Sequence, residues 1–260
     1  MKYNVALKSD VGIKKDTNQD SCCIKEARTE KGTIFFAVLC DGMGGLSKGE
    51  VASATLITAF SDWFERDFPV LLSEDGGITE IRYQWDRIIK EQNKSIAEYG
   101  NRFRIQLGTT ITSLIILEDG SYLIAHVGDS RAYRVTNNEL IALTNDQTVV
   151  AHEIRMGRLT PEEAARDPRR NVLLQCVGAS RIVEPEFYSG KAEPDQCYML
   201  CSDGFRHVVS AAEIHRAFAP VNNQDENTMY THIEELIELN KSRRETDNIT
   251  AVLIKTIQEV

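Results

Sequence analysis

The sequence is 260 residues long, and its 39 acidic residues outnumber its 30 basic ones, which gives a formal net charge of −9. This balance argues against a nucleic-acid-binding protein, because such proteins gain affinity by neutralising phosphates with Lys and Arg. Hydrophobic residues make up 42% of the chain, enough for a sizeable core, and no run approaches the roughly 18 apolar residues of a membrane-spanning helix. We therefore expect a globular cytoplasmic protein with no signal peptide and no membrane association.

The six cysteines stand at positions 22, 23, 40, 176, 197 and 201, and no two of them form a CxxC pair. A zinc ribbon needs closely spaced pairs of this kind, so the sequence disfavours one. Because disulfides are rare in a reducing cytoplasm, we expect free thiols that pack as small hydrophobic side chains.

The first part of the chain predicts three strands followed by two long helices. Apolar residues alternate in residues 3–7, and residues 20–25 and 33–40 form two further strand-like runs with a polar turn between them. Apolar residues then recur at helical spacing, first in residues 50–63 and then in residues 81–99. These two segments are predicted to be long amphipathic helices.

Short strands follow the helices. Residues 110–117 and 122–127 flank Asp119-Gly120, a strong signal for a hairpin turn, and residues 132–135 and 140–143 come next. Connections this short predict antiparallel neighbours, since a parallel crossover needs a dozen or more residues.

A polar, helix-prone stretch, residues 146–170, interrupts the series of strands. Beyond it, the predicted elements are strands at residues 186–189, 197–201 and 249–254, a helix that a capping box of Ser210 and Glu213 opens, and a helix at residues 229–239. Antiparallel groups of strands with long helices between them do not fit a doubly wound parallel sheet. No linker divides the chain, so we expect residues 1–260 to form a single α+β domain, a layered sandwich with sheets inside and helices outside.

Four aspartates stand beside apolar strands and next to small or polar residues. Asp41, Asp129 and Asp203 follow predicted strands, and Asp247 precedes the last one. Because neighbouring buried strands bring their ends together, these acids would converge, and close carboxylates usually need a cation. Oxygen ligands suit Mg²⁺ and Mn²⁺, and the glycine after Asp41 lets the backbone approach an ion. A single Asp-Gly step more often marks a turn, but four such acids favour a metal site.

The glycine-rich residues 42–49 do not match a nucleotide-binding loop. Ser47 stands where the GxxxxGK[ST] pattern needs a glycine, and the GxGxxG spacing is missing. The chain also lacks GxSxG and HExxH, which weakens the serine-hydrolase and zinc-protease alternatives. The five histidines show no ligand spacing, and we predict no catalytic role for them.

Six short motifs follow one another along the chain: Gly12-x-x-Lys15-x-x-Asn18-Gln19-Asp20, Asp41-Gly42-Met43-Gly44-Gly45, Gly108-Thr109-Thr110, Gly128-Asp129-Ser130-Arg131, Ser202-Asp203-Gly204 and Asp247-Asn248-Ile249-Thr250. In order and spacing, this set resembles the short bacterial members of the metal-dependent protein phosphatase family, type 2C. The resemblance covers residues 3–256. Each motif alone is weak, whereas six in this order form a specific signal.

The resemblance implies a fold of two central antiparallel sheets flanked by helices, with a site for two Mn²⁺ or Mg²⁺ ions. In that site Asp41 would bridge both ions, and Asp203 and Asp247 would complete the ligands of one of them. The Gly42 carbonyl would contribute to the other ion, and Asp20 would act through metal-bound water.

For activity, the resemblance implies hydrolysis of phosphoserine and phosphothreonine in other proteins, opposing a bacterial Ser/Thr kinase. A water acidified by the two ions would attack phosphorus in line, without a phosphoenzyme intermediate, while the metals neutralise charge on the phosphoryl oxygens. Asp129, together with Asp203, matches the place of a third, weaker ion in bacterial members. The enzyme is expected to act as a monomer, with phosphorylated proteins and a cognate kinase as its partners.

Residues 146–183 resemble the flap of this family, a mobile element beside the metal site. The five arginines in its first part, residues 146–170, would steer phosphoprotein substrates; they are Arg155, Arg158, Arg166, Arg169 and Arg170. For any single one of them, a solvated surface charge is the simpler interpretation.

Three residues depart from the family pattern. Lys15 takes the place of the phosphate-binding Arg, which keeps the charge but loses the bidentate fork. Gln19 replaces a Glu, as in other bacterial members, and removes one charge near the second ion. Met43 stands where animal members carry a His proposed as general acid; because a thioether cannot donate a proton, we interpret Met43 as core packing.

Two other functions are considered beside this one. The first is a catalytically silent relative that binds phosphorylated partners, and Lys15 is the only feature that favours it. The presence of Asp41, Asp203 and Asp247 argues against it, because a silent relative would no longer need metal ligands. The second alternative is a metal-dependent nuclease or small-phosphoester hydrolase. The acidic net charge and the lack of a basic, aromatic-rich groove argue against the nuclease.

Overall fold

The computed structural model describes residues 1–43, 48–74 and 76–258. Its strands are β1 (Lys2–Asp10), β2 (Asp20–Thr29), β3 (Gly32–Asp41), β4 (Ile111–Ile116), β5 (Ser121–Val127), β6 (Arg131–Val135), β7 (Leu140–Ala142), β8 (Glu186–Lys191), β9 (Cys197–Cys201) and β10 (Ile249–Ile257). Its α-helices are α1 (Gly49–Asp62), α2 (Phe68–Ser73), α3 (Ile78–Phe103), α4 (Val149–Arg155), α5 (Pro161–Ala164), α6 (Asp203–Arg206), α7 (Ala211–Phe218) and α8 (Glu226–Ser242). Gly44, Gly45 and Ser47 of the glycine-rich segment lie outside the described residues.

In the described ranges, the strands form two five-stranded antiparallel sheets. One has the order β1-β10-β9-β6-β7 and the other the order β2-β3-β4-β5-β8. Helices α1 and α3 contact the second sheet, whereas α7 and α8 contact the first. The predicted α+β sandwich of two central antiparallel sheets flanked by helices is therefore confirmed. None of the helices in these ranges has the length and apolar content that crossing a bilayer requires.

Strand β3 shows how the sandwich buries apolar side chains on both faces of a strand. Phe35 packs between the two sheets with Tyr198 of β9, whereas Phe36 packs against Trp85 of α3, with ring centroids 5.9 Å apart. Successive side chains of a strand point to opposite faces. A strand covered on both faces therefore has a continuous apolar sequence, and each such side chain contributes about 1.5–3 kcal/mol through its burial.

The order of elements predicted from the sequence is confirmed, with bounds that shift by a few residues. The Asp119-Gly120 turn joins β4 to β5 as a hairpin. At the start of α7, Ser210 Oγ accepts from the Glu213 amide at 3.3 Å, and the Glu213 carboxylate accepts from the Ser210 amide at 2.8 Å. This is the predicted capping box. All six cysteines are free, also as predicted.

The connection between β5 and β6 differs from the sequence prediction for such short links. Strand β5 pairs with β4 and β8, whereas β6 pairs with β7 and β9 in the other sheet. Gly128 redirects the chain at φ +112°, and a Cβ there would lie 2.5 Å from Thr110 Cγ2. The prediction of antiparallel neighbours was wrong here because a left-handed glycine lets residues 128–130 cross between sheets. Asp129 lies in this crossing.

His126 is fully buried in β5 and has a partner at each ring nitrogen. Thr112 Oγ1 lies 3.0 Å from Nδ1, and the Asn145 carbonyl oxygen lies 3.0 Å from Nε2. A neutral ring with its proton on Nε2 satisfies both partners. Burial lowers the pKa of His126 to about 4, although Asp146 and Glu186 oppose the shift. The folded protein therefore binds this proton less readily than the unfolded chain does.

We expect His126 to lower the free energy of unfolding by about 2 kcal/mol between pH 7 and pH 5. In this window the unfolded state binds more protons than the folded state, whose pKa is about 4, so acid favours unfolding. His126→Gln should remove this part of the pH dependence, and urea unfolding of both proteins at the two pH values measures it. The same comparison at pH 8 gives the intrinsic cost of the substitution. An equal loss of stability in both proteins would contradict the prediction.

Candidate metal centre

Two of the predicted acids face each other across a pair of strands. Asp20 begins β2 and Asp41 ends β3, and the antiparallel register makes them direct partners. Beyond Asp41 the backbone is tightly confined, because the Gly42 amide donates to the Gln19 carbonyl at 3.1 Å. A Cβ at Gly42 would lie 2.5 Å from the Gly49 carbonyl oxygen. Only glycine fits this position, which explains the Asp-Gly step.

The other sheet brings two further acids to the same end of the sandwich. Strands β9 and β10 are antiparallel neighbours; Asp203 comes shortly after β9, and Asp247 shortly before β10. A Cβ on Gly204 would lie 2.2 Å from the Asn248 carbonyl oxygen. The two segments are therefore in direct backbone contact, which places Asp203 beside Asp247.

A cleft of about 480 Å³ opens at this point. It is lined by Lys15, Asp41, Met43, Thr110, Asp129, Asn171, Leu173, Cys176, Asp203 and Asp247. The structure thus brings together the predicted acids of both sheets, the crossing between β5 and β6, and the predicted phosphate-binding lysine. Asp20 is buried beside these residues rather than lining the cleft.

The acids of the cleft influence one another's ionisation. Burial, followed by the charges of the four other predicted acids, raises the pKa of Asp41 well above its ordinary value. Burial and the neighbouring Asp203 raise the pKa of Asp129 to about 7, against the opposing charge of Arg206. Carboxylates this close do not all ionise unless a positive charge joins them.

Asp20 has one oxygen with a partner and one without. Its Oδ2 accepts from Thr250 Oγ1 at 2.6 Å, whereas its buried Oδ1 has no hydrogen-bond partner among residues 1–43, 48–74 and 76–258. Burial raises the pKa of Asp20 to about 7, although Thr250 and Ser202 oppose the shift through hydrogen bonds. An unpartnered buried oxygen is costly, and a cation or its water would satisfy it.

Lys15 contacts one of the predicted metal ligands. Its Nζ lies 3.1 Å from Asp247 Oδ1, and both side chains line the cleft. The same Asp247 oxygen accepts a hydrogen bond from the Asn248 backbone amide at 2.9 Å. The lysine is therefore a cation at the cleft rather than a solvated neighbour of Lys14, which is exposed.

Gln19 and Met43, the other two departures from the family pattern, differ in position, because of these two only Met43 is among the residues that line the cleft. The Gln19 side chain donates through Nε2 to Glu50 Oε2 at 3.3 Å, and the Gln19 backbone amide donates to Asn248 Oδ1 at 2.9 Å. Met43 lines the cleft, and a Cβ at Gly108 would lie 2.5 Å from the Met43 methyl carbon. Met43 thus packs at the cleft wall, beside the acids, and not in the interior of the sandwich.

Two residues of this site, His207 and Glu245, were not among the predicted site residues. His207 Nε2 lies 3.3 Å from Asp203 Oδ2, and Nδ1 lies 3.3 Å from Glu245 Oε2. Although burial opposes the charged ring, hydrogen bonds to the two carboxylates raise the pKa of His207 to about 10. Burial opposes ionisation of Asp203 as well, but the bond from His207 lowers the pKa of that carboxyl. The signal in the sequence was the four-residue spacing from Asp203 to His207, which places both on one side of a helical turn.

The donor set fits hard divalent cations, with oxygen atoms only and one of them unpartnered. Within the described part of the chain, however, no three His, Cys, Asp or Glu side chains already share the geometry of one ion's ligands. Asp247 bonds with Lys15, and Asp203 with His207. The fit holds for Mg²⁺ and similar ions because they use one or two carboxylates and keep several waters.

Comparisons with known proteins agree with this fold and site. The family model described as "Protein phosphatase 2C" matches residues 13–241. A Streptococcus pyogenes serotype M6 protein named "Putative protein phosphatase 2C-type" is 32% identical over 98% of each chain. The structure of the S. agalactiae serine/threonine phosphatase, also 32% identical, superimposes with a TM-score of 0.83 over 98% of this chain and 100% of that one. The catalytic domain of the phosphatase PstP, described in complex with two manganese ions, has a TM-score of 0.77 at 29% identity, over 98% and 99%.

A sandwich of two antiparallel sheets with a cluster of aspartates at the point where the sheets meet defines a metal-dependent phosphatase. The chain belongs to the protein phosphatase 2C family, and the enzyme class inferred from its six motifs is confirmed. The manganese complex of PstP supports a two-metal site for this family. Family membership also removes the nuclease alternative.

Proposed function

We propose that the protein removes phosphate from phosphoserine and phosphothreonine in other proteins. The observation that carries this proposal is the convergence of Asp41, Asp203 and Asp247 on one open cleft, beside Asp20 with its unpartnered oxygen. These four carboxylates, with the Gly42 carbonyl, would hold two Mn²⁺ or Mg²⁺ ions. The streptococcal relatives named as phosphatases support the assignment.

The metals and the chain divide the chemistry between them. Bound Mn²⁺ or Mg²⁺ would acidify a water for attack on phosphorus and neutralise charge on the phosphoryl oxygens. The chain's own carboxylates would bind the ions and fix their positions, and burial keeps Asp20 and Asp41 from turning to solvent. Lys15 lies at the cleft with its ammonium group next to Asp247, where it would bind a phosphate oxygen.

Lys15→Ala is expected to raise KM for a phosphothreonine peptide several-fold, with a smaller change in kcat. The reason is that the substitution removes a cation that faces the bound phosphate in the ground state as well as in the transition state. Steady-state kinetics with saturating Mn²⁺ measures the effect. Lys14→Ala, at an exposed position one residue away, is the matched control. An unchanged KM in Lys15→Ala would mean that the lysine only pairs with Asp247.

A third, weaker ion is part of the proposal, held by Asp129 together with Asp203. Asp129 lines the same cleft, and its buried carboxyl has its pKa raised to about 7 by burial and by Asp203. Arg206 fixes the Asp129 backbone, because its guanidinium donates to the Asp129 carbonyl oxygen at 2.7 Å and to the Asp146 carboxylate at 3.2 Å. This third cation would relieve the repulsion between the Asp129 and Asp203 carboxylates.

Residues 146–183 are proposed as a flap that contacts the substrate protein, within a single catalytic domain of residues 1–260. Two of its six arginines are engaged within the flap, Arg158 with Glu153 and Arg169 with Asp167. Arg170 lines a second cleft of about 650 Å³ that shares Asp129 and Asp247 with the metal site. The arrangement fits phosphorylated proteins as substrates, including a cognate Ser/Thr kinase. The monomeric state and the cytoplasmic location stay predictions.

Phosphate release from a phosphothreonine peptide tests the proposed function. The assay is run with Mn²⁺, with a chelator, and with the Asp247→Asn variant. We expect release only with the wild-type protein and metal. Release that survives both the chelator and the substitution would refute the metal mechanism. A folded wild-type protein without activity in any metal would instead support the silent relative that binds phosphorylated partners.

A further inference from the structure

The contacts of His207 connect two segments that are distant in sequence and that each carry a predicted metal ligand. The ring follows α6 and lies between the Asp203 and Glu245 carboxylates, 3.3 Å from each. The side chains of all three residues are mostly buried, with exposed fractions of 28% for His207, 15% for Asp203 and 7% for Glu245. The ring occupies Oδ2 of Asp203, so Oδ1 is the oxygen that remains for a cation.

Glu245 connects the ring to the second predicted ligand, Asp247. Its Oε2 faces His207, and its Oε1 accepts the backbone amides of Thr246 at 2.7 Å and Asp247 at 2.9 Å. Both carboxylate oxygens are therefore engaged. The carboxylate holds the turn that carries Asp247, and it does so through the backbone, which leaves the Asp247 side chain free to face the cleft.

The two contacts form one continuous chain from Asp203 through His207 and Glu245 to the Asp247 backbone. We propose that His207 and Glu245 act as a positioning pair that holds Asp203 and Asp247 at a fixed separation and thereby sets the affinity of the site for divalent cations. The inference rests on the proposed roles of Asp203 and Asp247 as metal ligands. Residues behind a ligand orient it, and their removal typically weakens metal binding about 10–100-fold.

His207 and Glu245 add a second contact between the segment that carries Asp203 and the segment that carries Asp247. Asp203 and Asp247 lie at the ends of two segments that touch through Gly204 and Asn248, where a Cβ would lie 2.2 Å from a carbonyl oxygen. That contact sets the backbone spacing on one side only. The pair adds a second connection on the side of α6, so that the two carboxylates are related by two points of contact instead of one.

Calorimetric titration of metal-free protein with MnCl₂ tests the proposal by a measurement that does not depend on activity. We expect His207→Ala and Glu245→Gln each to weaken Mn²⁺ binding by about 10–100-fold. The double variant should bind no more weakly than the weaker single variant, because the two residues act as one unit. At saturating Mn²⁺, kcat should return to within a few-fold of wild type, since the bound ions would then hold Asp203 and Asp247 in place.

Two further proteins serve as controls for folding and for the loss of a histidine. His232→Ala removes a histidine whose Nδ1 lies 3.1 Å from Asn223 Oδ1 in another part of the molecule, and Mn²⁺ affinity should not change. His207→Gln keeps one donor toward Asp203 but does not bridge to Glu245, and it should bind Mn²⁺ with an affinity between those of wild type and His207→Ala. Thermal unfolding in chelator shows that each variant is folded before titration.

The outcomes separate this proposal from the proposed function. Wild-type Mn²⁺ affinity in folded His207→Ala and Glu245→Gln would overturn the positioning role and leave the metal site intact. Additive losses in the double variant would show that the two residues act separately, which also contradicts the pair. A wild-type protein that binds no Mn²⁺ would contradict the proposed metal site itself, and the pair with it.

Discussion

Asp41→Asn is expected to lower kcat about 10³-fold or more at any Mn²⁺ concentration, because loss of metal stabilisation costs several kcal/mol in the transition state. Asp41 lies at the centre of the acid cluster, and the charges of all four other predicted acids act on its carboxyl. The amide keeps the size of the side chain but cannot bridge two cations with negative charge. Steady-state kinetics on a phosphothreonine peptide measures the loss.

The same variant has a second readout that separates metal binding from folding. In chelator, Asp41→Asn should unfold at the wild-type temperature or above it, because it removes a carboxylate whose ionisation burial and neighbouring charges oppose. Added Mn²⁺ should raise the unfolding temperature of wild type by mass action but that of the variant much less. Asp119→Asn is a matched control, since Asp119 also precedes a glycine but pairs with Lys191 at a surface turn. Full activity in Asp41→Asn would contradict the proposed site.

Gly204→Ala is expected to lower kcat/KM about 10²-fold, the typical cost of displacing catalytic groups by about 1 Å. The new Cβ would lie 2.2 Å from the Asn248 carbonyl oxygen, which is backbone and cannot rotate away. The Asp247-Asn248 segment must therefore shift relative to Asp203. The change adds no charge and removes no ligand, so its effect comes from position alone.

Gly77→Ala provides the comparison for Gly204→Ala. A Cβ at Gly77 meets its nearest neighbour, Glu80 Oε2, at 3.8 Å, which is an ordinary contact. We expect the control to keep wild-type kinetics. Mn²⁺ titration should show weaker binding in Gly204→Ala, and the structure of that variant should show Asp247 displaced from Asp203. Wild-type activity in Gly204→Ala would mean that the two segments tolerate a larger separation than the proposed site allows.

Much of the site was predictable because its residues lie where strands begin and end. Asp20 and Asp41 flank β2 and β3, and Asp203 and Asp247 flank β9 and β10. An apolar run followed by Asp-Gly predicts both the end of the strand and a confined backbone there, and the structure shows that confinement at Gly42. Local sequence was therefore sufficient to locate these acids, and the six motifs to identify the family.

The remaining features depend on contacts that no local pattern encodes. Residues 128–130 form a connection short enough for a hairpin, yet they cross between sheets, because the destination of β6 is decided by its pairing with β9. His207 and Glu245 are separated along the chain by the whole of α7 and α8, so their contact arises only when both helices pack on the first sheet. The burial of Asp20 Oδ1 likewise follows from the packing of two sheets.

Diffraction from crystals soaked in MnCl₂, recorded for anomalous scattering, would show whether the aspartates of the cleft hold two ions. We expect two manganese peaks in the cleft, with Asp41 between them, Asp203 and Asp247 at one, and the Gly42 carbonyl at the other. Lys15 should then have moved off the Asp247 oxygen that it contacts at 3.1 Å. Intact crystals in which the three carboxylates bind no manganese would contradict the proposed metal site.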